Sequence, residues 1–401
     1  MTSFAAAPDR QVTQLRDAHH VASRGRRAGR ALSVLHLRAD SGVYGAEQVI
    51  LTLVKEQLRQ GLDAHVLCLE RAGTTAFYEL LKSQGVPATR VESRGRLDFR
   101  ALLAIKHVID QQIRPDIVHS HGYKTDTFLA LMRRSLRRRT GLVATNHLWA
   151  HETVLLHLYE LIDSLAFWAF DRVVAVSAEI GQDMVTRGIA AKKIRVIQNG
   201  VSYQPLHPSY WGKLHEELGA TAPGSLIVGF VGRLSIQKGL VFLLAAAARL
   251  RPRRNVYFAL IGEGPLRGEL ETELKASGLQ DRVFLLGRRD NVPELLRELD
   301  IVALPSLQEG TPIALLEAMG AGRAVVASGV GGVKDVVEQG RTGLIVPPTD
   351  VPALADAIAH LLDHSPERLQ MGLAASVAVR ARFSDKVMAQ NYLEVYEQVA
   401  A

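Results

Sequence analysis

The sequence predicts an α/β protein built from two doubly wound parallel-sheet domains that face one another across a cleft. Three observations lead there. The chain has 401 residues, more than a single core usually serves. Short apolar runs alternate with helical patterns from Leu32 to Val201, and the same plan starts again at Leu226. Ligands of open parallel sheets bind beyond the carboxyl ends of the strands, so two such sheets with their ends opposed would enclose a site between them.

Taken in order, residues 1–30 hold arginines but no apolar segment, which predicts a disordered basic tail and not a signal peptide. Residues 31–203 form the first domain. Its strands are expected at Leu32 to Leu37, His65 to Leu69, Asp116 to His119, Gly141 to Thr145, Arg172 to Val176 and Ile194 to Ile197. A loop with Gly42 and Gly45 joins the first strand to a helix from Ala46 to Leu58. Gln204-Pro205-Leu206-His207-Pro208 reads as a linker, followed by a short helix with Leu214 and Leu218. The second domain, residues 204–383, has apolar runs at Leu226 to Val231, Val256 to Ile261, Val283 to Leu286, Ile301 to Leu304, Ala324 to Ala327 and Gly343 to Val346. In the last segment, 384–401, Met388, Tyr392, Val395, Tyr396 and Val399 make one apolar helical stripe, expected to pack back on the first domain.

Composition narrows the function classes. With 47% hydrophobic and 22% charged residues the chain is an ordinary globular protein. Its single cysteine, Cys68, sits in an apolar run, which excludes an internal disulfide framework and suggests a reducing compartment. No apolar run reaches the ~18 residues of a membrane span. The longest, Val154 to Phe170, is interrupted by His157, Glu160 and Asp163 and is expected mostly in the core, with a greasy surface as the alternative. The net charge of +7 is uneven: residues 1–200 hold 28 Lys and Arg against 19 Asp and Glu, and residues 201–401 hold 20 against 22. A basic half suits nucleic acid, anionic lipid or an acidic substrate. The densest patch, Arg133 to Arg139, reads equally as a solvated loop after a helix. The histidines carry no second liganding motif, so a zinc site is not expected.

The chemistry centres on Pro305 to Ser328. Thr311 is expected to cap a helix with Pro312 at its first position, and the helix runs through Ile313, Leu315, Leu316 and Met319 to Gly320 and Gly322. Glu309 lies just before the helix mouth. Glu317 lies inside the helix among apolar residues, where a buried carboxylate needs partners, and ligand hydroxyls would supply them. A solvated Glu309 and a structural Glu317 are the alternatives. At the end of the run Phe230 to Val231, Gly232 lets a ligand approach the backbone. Arg233 and Lys238 stand between that strand end and a helix start, where a guanidinium fork and an ammonium would hold a diphosphate.

On these residues the chain resembles the retaining glycosyltransferases of family four, which have the GT-B fold of two facing Rossmann-like domains. The matching pieces are FVGRL with QKG (Phe230 to Leu234, Gln237 to Gly239), ALIGEGP (Ala259 to Pro265), FLLG (Phe284 to Gly287) and E-x7-E from Glu309 to Glu317. Weaker matches are SGVYGAE (Ser41 to Glu47), VHSHG (Val118 to Gly122), ATNH (Ala144 to His147), AVSAE (Ala175 to Glu179) and VIQNGV (Val196 to Val201). The resemblance implies a nucleotide-diphosphate sugar donor and a glycan or lipid-linked acceptor. It implies catalytic roles for Glu309, His147, Arg233 and Lys238, and donor contacts from Gly42, Gly45, Gly232, Arg233, Lys238, Glu263, Gly310, Thr311 and Glu317. His119, His121 and His151 are alternatives to His147. Thr311 and Pro312 stand where many relatives carry an aromatic residue and a glycine, and Ser202 stands where an acidic residue is frequent. No D-x-D pair occurs anywhere, so no metal or other cofactor is expected, and Arg233 and Lys238 would take its place. Cell-surface polysaccharide or glycolipid synthesis follows as the setting, in the cytoplasm, with an anionic membrane face as a further partner and no nucleic acid. Another GT-B reaction, epimerase or phosphorylase, a nucleotide-sugar-binding protein without catalysis, and a nucleic-acid-binding protein are the competing readings.

Overall fold

The computed structural model describes residues 30–401 apart from 40–41, 72–74, 96–97, 137–139, 148–161, 163 and 203–211. The expected tail up to residue 29, the linker Gln204 to Pro208, Arg137 to Arg139 and His151 therefore lie outside the described residues.

Among the described residues, seven parallel strands form the first sheet: β1 (Ser33–Ala39), β2 (Asp63–Glu70), β3 (Ala88–Glu92), β4 (Ile117–Ser120), β5 (Gly141–Asn146), β6 (Arg172–Ala175) and β7 (Ile194–Val196), in the order 3-2-1-4-5-6-7. Six more form the second: β8 (Leu226–Val231), β9 (Val256–Ile261), β10 (Val283–Gly287), β11 (Ile301–Leu304), β12 (Ala324–Ser328) and β13 (Leu344–Val346), in the order 10-9-8-11-12-13. Each sheet is doubly wound, with its order reversing between β1 and β4 and between β8 and β11. Those reversals open the crevices where such sheets bind ligands. β3 was not expected from the sequence: it is an edge strand with only Val91 buried, so it shows no apolar run.

The parallel register decides what each face of the first sheet carries. Val34 pairs with Ile117 and His36 with His119, so alternate residues of neighbouring strands share a face. On one face Val34, Ile117, Val143 and Val174 pack against Met388, Tyr392, Val395 and Tyr396 of the last helix, Asp385–Ala400. Leu35, Val118, Leu142 and Ala144 line the core on the other face. The apolar stripe of the last helix is thus buried on the first sheet, although the chain reaches it from the second.

The crossing is held by backbone bonds. Val201 N donates to Phe383 O at 2.9 Å and Asp385 N donates to Val201 O at 3.1 Å. The stretch Val154 to Phe170 is split where it is described: Phe167 and Phe170 are buried, but Leu165 and Trp168 are 63% and 66% exposed, so this end is an apolar surface as well as core. Among the described residues no helix is long and apolar enough to cross a membrane.

Candidate active site

The site is assembled where strand ends of the two sheets meet. From the first sheet come Arg38 near the end of β1, His121 just after β4 and His147 just after β5. From the second come Gly232 and Arg233 after β8, Glu263 after β9, and the segment after β11 that carries Ser306 and Glu309.

Glu309 is 6% exposed, so the solvated alternative is excluded. Its Oε1 accepts from Lys238 Nζ at 2.6 Å and from Ser306 Oγ at 2.7 Å. Lys238 ends the short turn Ile236–Lys238, which reaches across from the β8 side. An ammonium has three N–H groups, so one bond to Glu309 leaves others for a second anion. Ser306 is a member of this group that sequence reasoning missed, since a serine three residues before a glutamate carries no signal of its own.

The helix after Glu309 starts later than expected. It spans Ile313–Gly320 with Pro312 in the cap position and no side-chain cap, so Thr311 is not the N-cap. The Thr311 hydroxyl instead donates to Val176 O of the first domain, and Asn199 Nδ2 donates to Thr311 O at 3.2 Å. A bond between domains has won over the local cap. Gly310 shows why the neighbouring residue is glycine: a Cβ there would fall 2.2 Å from His147 O. The donor-side loop and the end of β5 are therefore in backbone contact.

Glu317 lies in the second turn of this helix beside the buried Leu315, Leu316, Ala318 and Met319. Its side chain is half-buried, and its carboxylate has no hydrogen-bond or ion-pair partner among the described residues. Burial alone pushes its pKa up to about 7.

Arg233 is exposed and has no carboxylate partner among the described residues; its guanidinium stacks over the Tyr44 ring at 4.8 Å. Tyr44 precedes the helix Gly45–Arg59, so this contact also joins the two domains. Gly42 lies under the same ring, with room for no Cβ (2.1 Å to Tyr44 Cε2), whereas Gly45 opens the helix with free space around it. Gly232 is pressed against Gly262, whose Cβ would lie 1.9 Å from Gly232 O. Glu263 is exposed and pairs with Arg267 at 2.6 Å. Below Tyr44, the buried Glu47 accepts from Arg38 Nε at 2.7 Å and from Tyr44 N at 3.0 Å. Neither Arg38 nor Glu47 was singled out by the sequence.

His147 Nε2 lies 3.2 Å from His121 Nδ1, and His147 Nδ1 is buried with no partner among the described residues. Burial, aided by the positive charge of Arg38, holds His147 down to about 3. His119, an alternative from the sequence, is fully enclosed behind the strand ends, between Tyr396 Oη at 2.7 Å and Thr145 Oγ1 at 2.7 Å. Ring nitrogens of His36, His119 and His121 come within 4.8 Å of one another, close enough to hold a metal ion. All six already have hydrogen-bond partners, so the cluster is complete without one.

The basic patch is only partly available. Arg133 is bound to Asp171 at 2.8 and 3.1 Å and to Thr140 O at 3.0 Å, while Arg134 is exposed.

Two doubly wound sheets that meet at their strand ends, with the loop carrying Glu309 and Gly310 against the β5 end that carries His147, have the GT-B architecture of glycosyltransferases. Solved structures agree on the fold: that of HepE from Anabaena, in complex with UDP and glucose, matches with a TM-score of 0.81 over 92% of this chain and all of that one, at 24% identity. The family model described as Glycosyltransferase Family 4 matches residues 43–204, and the one described as Glycosyl transferases group 1 matches residues 225–364. The chain belongs to glycosyltransferase family four. Among curated relatives, the GDP-mannose:cellobiosyl-diphosphopolyprenol alpha-mannosyltransferase of Xanthomonas oryzae is 27% identical over 88% of this chain and 93% of its own length. The alpha-D-kanosaminyltransferase of Streptomyces kanamyceticus is 36% identical over 43% of this chain, which spans 46% of that relative.

Proposed function

We propose that this glycosyltransferase moves a sugar from a nucleotide-diphosphate donor to a glycan or lipid-linked acceptor, with retention of configuration and without a metal ion. The observation that carries the reading is the Lys238–Glu309–Ser306 group at the mouth of the helix that holds Glu317. In this reading Lys238 and Arg233 neutralise the leaving diphosphate, whose charge grows as the glycosidic bond breaks, so fixed cations stabilise the transition state more than the ground state. Glu309 holds Lys238 in place and contacts the donor sugar. Glu317 accepts from the ribose hydroxyls and gains the partners it otherwise lacks. The acceptor attacks from the face that the diphosphate leaves, and the departing phosphate takes its proton. Gly42, Gly45, Glu263, Gly310 and Thr311 shape the donor cleft, and His147 faces the sugar from the first domain.

The lipid-linked acceptor is supported by the diphosphopolyprenol substrate in the name of the Xanthomonas relative. A peripheral position on the cytoplasmic face of a membrane fits such an acceptor. Leu165 and Trp168, both exposed, together with Arg134 would supply the contact. The test is a panel of nucleotide sugars scored by thermal shift and then by turnover with polyprenyl-diphosphate sugars. A true donor at 100 times its Kd adds about 2.7 kcal/mol of stability. Incubation without acceptor separates a transferase, which hydrolyses the donor slowly at most, from an epimerase, which converts it. No stabilisation by any nucleotide sugar would overturn the proposal.

A further inference from the structure

Behind His147 runs a line of buried rings that the proposed chemistry leaves unused. Gln57 Oε1 lies 2.8 Å from His36 Nε2, His36 Nδ1 lies 2.9 Å from His121 Nε2, and His121 Nδ1 lies 3.2 Å from His147 Nε2. Gln57 is 1% exposed, and His36 and His121 are fully buried. We propose that Gln57, His36 and His121 act as positioning residues that fix the tautomer of His147, so that His147 presents an unprotonated Nδ1 to a hydroxyl of the bound sugar or acceptor. The role of that Nδ1 rests on His147 facing the substrate, as in the proposed function; the tautomer itself does not.

Hydrogen-bond polarity ties these rings together. A neutral imidazole has one N–H and one lone pair, so in a line of imidazoles the first ring sets all the others. The rings are neutral because burial lowers His36 to about 4, His147 to about 3 and His121 well below its ordinary value, with no carboxylate bonded to any of them among the described residues. Gln57 sets the direction. Its Nε2 donates to Tyr396 Oη at 3.3 Å, which turns its oxygen toward His36. His36 must then carry its proton on Nε2 and accept at Nδ1. His121 donates from Nε2 to His36 and accepts at Nδ1, and His147 donates from Nε2 to His121. That leaves the lone pair of His147 on Nδ1, the one ring nitrogen of the line that has no partner among the described residues.

The second branch from Gln57 agrees. Tyr396 Oη, accepting from Gln57, donates to His119 Nδ1, and His119 Nε2 donates to Thr145 Oγ1. Reversing the Gln57 amide would reverse every donor in the line and turn Nδ1 of His147 into a donor. Arg38, whose guanidinium binds the His121 carbonyl, adds positive charge near His147 and so helps to keep that ring neutral.

The experiment is long-range proton–nitrogen correlation NMR on histidine labelled with nitrogen-15 in both ring positions, at pH 7.5, on the full chain. Single His→Asn variants at 36, 121 and 147 assign the signals. The expected result is the Nε2–H tautomer at all three histidines. An Nδ1–H tautomer, an exchange average or an imidazolium at His147 would overturn the proposal from the wild-type spectrum alone. Gln57→Met keeps the volume and removes both polar ends. It should turn the His147 signal into a tautomer mixture and lower kcat about tenfold, the worth of one misplaced hydrogen bond, with KM for the donor nearly unchanged. A Gln57→Met variant that folds and leaves the His147 tautomer and kcat unaltered also overturns it. If no nucleotide sugar is turned over, the proposed function fails while the spectrum still decides the relay.

Discussion

Replacing Glu317 with glutamine should stabilise the protein above neutral pH and weaken nucleotide binding at the same time. The carboxyl sits in the helix Ile313–Gly320 beside four buried apolar residues and has no partner among the described residues. Burial raises it from 4.5 to about 7. The folded state therefore binds this proton more tightly than the unfolded state does, and the stability it contributes is complete below about pH 4.5 and lost as pH rises through 7. A difference of that size corresponds to about 3 kcal/mol lost at pH 8. Glutamine has the same shape and no charge to desolvate. Denaturant unfolding at pH 5, 6.5 and 8 reads the difference: wild type and Glu317→Gln should lie within about 1 kcal/mol at pH 5, and the variant should lead by up to about 3 kcal/mol at pH 8. Ribose hydroxyls favour the ionised carboxylate, so below pH 7 nucleotide binding should release a proton, visible by calorimetry in buffers of different ionisation enthalpy, and the variant should release none. A variant less stable than wild type at pH 8, or an equal gap at every pH, would refute the reasoning.

Lys238→Met leaves the buried Glu309 carboxylate without its cation and should cost about 3–5 kcal/mol of stability. Adding Glu309→Gln should recover much of that stability but none of the activity, and full activity in either single variant would exclude the pair from the reaction. Gly310→Ala drives a Cβ into His147 O and should cost about 1–3 kcal/mol and separate the domains, which small-angle scattering would record as a larger radius of gyration. Vesicles containing anionic lipid should sediment the wild type at low salt, and Leu165→Ser with Trp168→Ser should lower the bound fraction; equal binding to neutral vesicles would remove the electrostatic part of the docking idea.

The strands of both sheets were legible because each buried parallel strand is a short apolar run, and β3 was not because an edge strand needs only one buried residue. The start of the helix at Ile313 was misplaced for a different reason. Thr311 has the chemistry of a cap, but its hydroxyl is used by Val176 of the other domain, a tertiary bond that no local pattern announces. Glu309, Lys238 and Arg233 could be picked out because charged residues at strand ends and helix mouths are conspicuous. Ser306, Arg38, Glu47 and Gln57 could not: their partners lie between three and 339 positions away, and the register of β1 with β4 and the packing of the first and last helices bring the distant ones together. His36 lies in β1 and His121 just after β4, so their line toward His147 has no signature in the sequence.

The central claim is retaining transfer carried by the Lys238–Glu309 group in place of a metal. The most direct measurement takes the nucleotide sugar found by the panel, with its acceptor and excess EDTA, and determines the anomeric configuration of the product by proton NMR. The expected product has the configuration of the donor, forms at an undiminished rate under chelation and does not form with Glu309→Gln. An inverted product, or activity that vanishes with EDTA and returns with magnesium or manganese, would contradict it.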